Sequence, residues 1–230
     1  MENLGRADHD ITSLQNIYHR YIKLPFEFIK PSVNDIKKTF SDEQKNKSSV
    51  WDTLNNVKTD VYKFRLPELD EKITSFLETF NLFYSTKLLF FTGPHERINI
   101  HVDSNKDANY LNETSDYFDN HAKLNFTWEN ENSSLQWWKT DDNNNLKVDT
   151  HTYEGGKTWK VIWAEENKCQ MVYEKKINKP SIVNTGVLHS THNPSDKERI
   201  TLSYNLVRKQ DLRLLTFFEA LWIFGDLLYE

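Results

Sequence analysis

The stretch INIHVDS, residues 98–104, sets an imidazole and a carboxylate two positions apart, at His101 and Asp103. Side chains alternate along a strand, so residues i and i+2 share a face. Ile98, Ile100 and Val102 then make a clean apolar face, and Asn99, His101 and Asp103 stand together on the other. Such a pair on a rigid strand is either two arms of a metal site or two solvated residues of a half-exposed strand. Downstream, KPSIVNTGVLHSTHNPSDKERITLSYNL, residues 179–206, has a related design. An apolar strand with Ile182 and Val183 runs through Gly186 to His189, and the turn NPSDKE follows. The next strand sets Ile200, Leu202, Tyr204 and Leu206 against Arg199, Thr201, Ser203 and Asn205. Arg199 is suited to clamping a carboxylate, because its planar fork matches that group through two parallel hydrogen bonds. Ser203, four residues along the same face, offers one more donor.

The elements that must hold these groups follow from periodicity. From about residue 86 the period is two, and candidate strands are TKLLFFTG, RINIHVD, KLNFTWEN, SLQWWKT, LKVDTHTY, TWKVIWAE, CQMVYEKKI, PSIVNTG and RITLSYNLV. Turn-rich punctuation such as DDNNN, YEGGK and EENK separates several of them. That pattern predicts a sandwich or barrel, with a jelly roll as the natural candidate. Residues 104–122 form a long polar connection without a strand pattern, of the kind that often carries function.

Residues 1 to about 60 read as helical and irregular. DITSLQNIYHRYIKL, residues 10–24, has Ile11, Leu14, Ile17, Tyr18, Tyr21 and Ile22 at helical spacing, and Pro25 stops it. SVNDIKKTF is a short second helix. LPELDEKITSFLETFNLF is a stronger one, with Pro67 in its first turn, acids after it, and Leu69, Ile73, Phe76, Leu77 and Phe80 along one face. At the other end, DLRLLTFFEALWIFGDLLY reads as a helix with two apolar stripes, Leu214/Phe217/Leu221/Phe224/Leu228 and Leu215/Phe218/Trp222/Tyr229. Glu219 and Asp226 interrupt it, and it falls short of the ~20 apolar residues a membrane span needs. Packing on the back of the sheet is its expected use, and a homodimer interface is the other. The whole reads as one domain: a helical support region over 1–85, a β core over 86–208 and an apolar helix over 209–230.

Composition supplies no argument for some functions. The net charge of −5 is spread along the chain, without the basic stripe that nucleic-acid binding calls for. One cysteine, Cys169, leaves no internal disulfide and suits a reducing compartment. The N-terminus has no apolar stretch of signal-peptide type, so a soluble cytoplasmic protein is expected and the N-x-[ST] matches at Asn112, Asn125 and Asn132 carry no weight.

His101-x-Asp103, then His189, then Arg199 with Ser203, resembles the iron(II)/2-oxoglutarate-dependent dioxygenase superfamily in its pattern H-x-D…H…R. VNTGVLHSTHNPSDKERITLS looks like that family's distal strand pair, where the second histidine stands ten residues before an arginine. KLNFTWEN followed by SLQWWK looks like the middle strands of its soluble bacterial and phage-borne members. The resemblance spans roughly residues 86–206. It implies a mainly β fold with flanking helices: a double-stranded β-helix (jelly-roll) core, helices packed on the outer face of one sheet. It implies Fe(II) held by His101, Asp103 and His189, a geometry that leaves three adjacent positions open for 2-oxoglutarate and O2. By the same resemblance Arg199 and Ser203 hold the distal carboxylate of 2-oxoglutarate, and Asn125 lies over it. The implied reaction converts 2-oxoglutarate to succinate and CO2 while hydroxylating an amino acid, a peptide side chain or a small metabolite. The carboxylate at Asp103 argues against halogenation, since related halogenases lack it. His192 is the rival of His189 for the metal, or else stands in the turn beside the site. His121 and Trp138 are candidates for the substrate pocket, whereas His95 reads as a loop residue and His151 as part of a hairpin. Two other classes stay open: a cupin-like jelly-roll metalloprotein that does not use 2-oxoglutarate, and a non-catalytic binding module.

Overall fold

The computed structural model of the chain describes residues 17–32, 36, 59–62, 66–103, 121–152 and 158–230. Among these residues, thirteen strands pair antiparallel into two sheets. In chain order they are β1 (His19–Ile22), β2 (Thr59–Tyr62), β3 (Leu82–Thr92), β4 (Ile100–Val102), β5 (Ala122–Trp128), β6 (Ser134–Lys139) and β7 (Leu146–Thr152). There follow β8 (Thr158–Ala164), β9 (Gln170–Lys175), β10 (Ser181–Asn184), β11 (His189–His192), β12 (Arg199–Arg208) and β13 (Leu228–Tyr229). The larger sheet runs β13-β1-β10-β5-β12-β3-β2 and the smaller β7-β8-β4-β11-β6-β9. Setting aside the β7–β8 hairpin and the additions β1, β2 and β13, eight strands remain. Their order, numbered one to eight along the chain, is 6-3-8-1 in the larger sheet and 2-7-4-5 in the smaller. The chain thus steps between facing sheets, which is the winding of a double-stranded β-helix.

Alternation on β12 shows how the sequence builds two environments from one strand. Ile200, Leu202, Tyr204 and Leu206 join an apolar core that includes Ile73, Phe76, Leu77, Phe217 and Phe224 of two helices. Arg199, Thr201 and Ser203 therefore face the other way, towards the smaller sheet. Helix α1 (Pro67–Glu78) starts with Pro67 at its first position and acids in its first turn, and Ile73, Phe76 and Leu77 form its buried stripe. Asp70 of α1 accepts hydrogen bonds from Lys87 Nζ at 2.6 and 2.5 Å and from Tyr204 Oη at 3.1 Å, which pins the helix to β3 and β12. Helix α2 (Phe217–Phe224) begins at a capping box between Thr216 and Glu219 and ends at Gly225, whose φ of 25° is the backbone region that suits glycine. Phe76 of α1 and Phe224 of α2 stack at 5.8 Å, so the helices form one layer over the larger sheet. Leu77→Ala removes a side chain with no exposure from that layer and is expected to cost about 2–5 kcal/mol, measured by urea unfolding.

Several expectations are corrected. The helix expected over 10–24 is replaced at its end by strand β1, which pairs with β10 and β13. Tyr21 faces one apolar cluster and Ile22 another, so this strand is buried on two sides and has no polar face to reveal its period. His192 is not in a turn: HSTH is strand β11, held between β4 and β6. The C-terminal helix is shorter than expected. Its first part is extended, with Leu215 N donating to Leu206 O at 2.8 Å, and only Phe217–Phe224 is α-helical. Packing on the back of the sheet is observed through Phe217, Ala220 and Phe224. The SVNDIKKTF helix, apart from Ile36, and most of the 104–122 connection lie outside the described residues. No helix among the described residues is long and apolar enough to cross a membrane.

Candidate metal centre

His101 lies in β4 and His189 opens β11, its neighbour in the smaller sheet; the two residues are directly opposed in the register. Opposed residues point to one face, and the rings stand 4.4 Å apart between centroids. Asp103 follows β4 by one residue, and its backbone N–H donates to Thr185 O at 3.1 Å, which continues the alternation and turns the carboxylate to the same face. His101 Nδ1–H donates to Asn99 O at 2.7 Å and His189 Nδ1–H to Val187 O at 2.9 Å. A carbonyl oxygen only accepts, so each ring carries a proton on Nδ1, and in the neutral imidazole Nε2 is then the bare nitrogen. The bare nitrogens lie 3.5 Å (His101) and 3.8 Å (His189) from the two oxygens of Asp103. All three donor atoms fall within 4.8 Å of one another. Backbone carbonyls orienting the outer ring nitrogens are the usual support of metal-binding imidazoles. This donor set fits a divalent transition metal.

Charge within the cluster is settled by its neighbours. Burial alone would raise the Asp103 carboxyl, but the Lys123 ammonium, with Nζ at 2.6 Å, outweighs it, and the carboxyl is held well below the usual carboxylate range. Burial lowers His189 to about 4, and proximity to His101 adds to that, so at neutral pH its Nε2 is an available donor.

Across the barrel, the inner face of the larger sheet is a buried polar wall. Lys123, Asn125 and Thr127 on β5 alternate with the core residues Leu124, Phe126 and Trp128. They stand opposite Asn205, Ser203 and Thr201 of β12. Ser203 Oγ donates to Asn125 Oδ1 at 2.6 Å, and the hydroxyls of Thr127 and Thr201 meet at 3.2 Å. Arg199 stands opposite Thr92 of β3 and is 2% exposed. Its Nε and the Thr92 hydroxyl have no hydrogen-bond partner among the described residues. Burial lowers the guanidinium to about 9, which still leaves it charged at neutral pH.

The structure thus brings His101, Asp103 and His189 together and sets Arg199, Ser203 and Asn125 on one enclosed wall. His192 is not with them: it sits three residues from His189 and lines a surface cavity of about 720 Å3 with Ser134, Glu174 and Lys175. Trp138 also departs from expectation. It packs with Ile100, Val102 and Ile162 on the far face of the smaller sheet and donates to Ser190 Oγ at 2.9 Å. Of the Trp137–Trp138 doublet it is Trp137 that takes the inner face, opposed to His189 in the register, and Trp163 shares that face opposite His101. His121 does turn inward, on the same alternation as Lys123; it is 5% exposed, and its Nδ1 has no partner among the described residues. Sequence reasoning passed over Lys123. Its signal was a lysine inside AKLNFTW, in phase with Asn125 and Thr127 and out of phase with the apolar residues.

Two buried histidines give the fold an acid limit. His19 stacks on Trp137 and is lowered to about 4 by burial, then by Lys175 and Arg20. His121 is lowered to about 4 by burial, then by Lys123. An unfolded chain binds these protons near the ordinary value, the folded one only near 4. Stability is therefore intact above about pH 6.5 and falls as pH drops towards 4, by up to about 3 kcal/mol for each residue. Melting temperature followed from pH 7 to pH 4 is expected to fall, and less steeply in His19→Gln.

No protein-family model matches the chain, and no curated protein matches it. Solved structures give distant likenesses. The X-ray structure of E. coli ycfD shares 6% identity over 71% of this chain and 38% of that one, with a TM-score of 0.34. An oxalate oxidase in complex with the substrate analogue glycolate shares 11% over 82% and 76%, with a TM-score of 0.31. A non-heme monooxygenase, the ThoJ–Ni complex, shares 12% over 62% and 53%, with a TM-score of 0.29. This chain spans well under half of the first of these and about half of the third. Likeness at this level carries no argument about activity, and the jelly-roll assignment rests on the strand order itself.

Proposed function

We propose that this chain is an Fe(II)/2-oxoglutarate-dependent oxygenase that hydroxylates an amino acid, a peptide side chain or a small metabolite. The observation that carries the reading is Arg199, a buried guanidinium whose Nε has no partner among the described residues, inside the same barrel as the His-Asp-His cluster. A buried cation is costly unless an anion meets it. A dicarboxylate with one end at the metal and the other on Arg199 answers that need. Bound iron, with 2-oxoglutarate and O2, would supply the oxidising power to hydroxylate an unactivated C–H bond.

The protein's own residues do the positioning. His101 and His189 present bare Nε2 atoms, and Asp103 supplies one negative charge. Arg199 clamps the distal carboxylate, the Thr92 hydroxyl beside it offers a further hydrogen bond, and Ser203 with Asn125 forms the wall between. The enclosing sheets exclude water, so each charge-assisted contact acts in a low-dielectric setting.

Under anaerobic conditions, Fe(II) and 2-oxoglutarate added to the metal-free protein are expected to give a visible charge-transfer band. His189→Ala is expected to abolish it. Bound iron without a band in the wild type would favour a cupin-like metalloprotein that does not use 2-oxoglutarate.

A further inference from the structure

One of the two Asp103 oxygens that face the imidazole nitrogens is already engaged. Lys123 Nζ lies 2.6 Å from Asp103 Oδ2, the oxygen that also faces His189 Nε2 at 3.8 Å. Lys123 is 7% exposed, on a strand whose every residue is buried, so its ammonium has little water to retreat into. A divalent ion bonded to Asp103 at roughly 2.1 Å puts two positive charges about 4 Å from that ammonium, where little solvent screens them. At that separation the two cations repel, and the lysine, on its flexible four-carbon stem, is the one that moves. On the inner wall around it stand Asn125, two residues along β5, and Asn205, its cross-strand partner. These amides orient an ammonium without neutralising it. A carboxylate lying against the metal does both.

We propose that Lys123 is a carboxylate receptor held closed by Asp103, and that a divalent cation taking over Asp103 releases the ammonium to bind a carboxylate beside the metal. This rests on the metal-centre reading above. The carboxylate comes either from 2-oxoglutarate or from the substrate. With Arg199 assigned to the distal end of 2-oxoglutarate, a second cation by the metal leaves the interior with positive charge to spare for an acidic substrate. Metal and carboxylate then answer to one another: the metal takes Asp103 and frees Lys123, the carboxylate takes Lys123 and frees Asp103, and each tightens the other by the same factor, as thermodynamic linkage requires.

The test uses Co(II) alone as the first probe, titrated into metal-free full-length wild type, Lys123→Met and Lys123→Gln, with melting temperatures as the check on folding. Loss of the competing ammonium is expected to tighten Co(II) binding by about tenfold or more in either variant. Acetate, a single carboxylate that cannot span from the metal to Arg199, is expected to tighten Co(II) binding in the wild type and to lose that effect in Lys123→Met. Unchanged or weaker Co(II) affinity in folded variants overturns the proposal and makes Lys123 a structural ion pair. Persistence of the acetate effect in Lys123→Met overturns the receptor role. No Co(II) binding by any of the proteins removes the metal centre itself, a separate outcome that takes the proposal with it. Titrating 2-oxoglutarate into the Co(II)-loaded proteins then names the source. Weaker binding in Lys123→Met assigns the receptor to the cosubstrate, whereas a loss confined to Arg199→Met assigns it to the substrate's carboxylate.

Discussion

Arg199→Met is expected to raise the melting temperature of the free protein and to weaken 2-oxoglutarate binding by about a hundredfold or more, the loss typical of one buried hydrogen-bonded charge partner. The first effect follows from the wall as it stands: a guanidinium buried with no partner for its Nε among the described residues opposes folding, and an apolar chain of similar length fills the same space without that charge. The second follows from the role assigned to it. Together they separate a cosubstrate clamp from a structural arginine, because a structural arginine lowers stability when removed. The measurement is thermal unfolding with and without 2-oxoglutarate and a divalent metal. Wild type is expected to gain stability from the ligand by mass action, and Arg199→Met to gain almost none at the same concentration. A variant that melts lower than wild type and still responds to 2-oxoglutarate would falsify the assignment.

Asp103→Ala is expected to be the most damaging single change in the centre. It removes a metal donor, and it leaves the Lys123 ammonium buried with its nearest carboxylate gone. Breaking a buried pair on one side costs about 3–5 kcal/mol, mostly from the stranded charge. The double variant Asp103→Ala/Lys123→Met is expected to recover most of that stability while binding no metal. Urea unfolding of the four proteins of the cycle, with metal content by elemental analysis, gives both quantities. If Asp103→Ala unfolds no more easily than wild type, the ion pair carries little and the electrostatics described for the centre are wrong.

The centre was legible in the sequence for a specific reason. INIHVDS and RITLSYNL alternate cleanly because each has one face in an apolar layer, so the polar face declares itself. β11 was not legible, because HSTH lies at the middle of the smaller sheet between two other strands and owes its shape to their hydrogen bonds rather than to its own pattern. β1 failed for the converse reason: apolar residues on two sides mimic helical spacing over a few positions. Lys123 was passed over because a lone lysine in a strand ordinarily marks an edge, and only the neighbouring strands show that this one is enclosed. The Trp137–Trp138 doublet shows the limit of alternation: it separates two rings to two faces without saying which face is inside.

Trp137 has an optical consequence. It has no exposure, its indole N–H donates to Asn184 O at 3.0 Å, and it is opposed to His189 in the register. A single emitter is thus held at a set distance and orientation from the centre. A metal ion with d-electron absorption arriving at His189 is expected to dim that emitter, and Trp163 opposite His101, more than Trp128, Trp138 or Trp222. The difference spectrum between the protein and Trp137→Phe would then isolate one chromophore. Occupancy of the centre is readable in ultraviolet light, in real time and without a label.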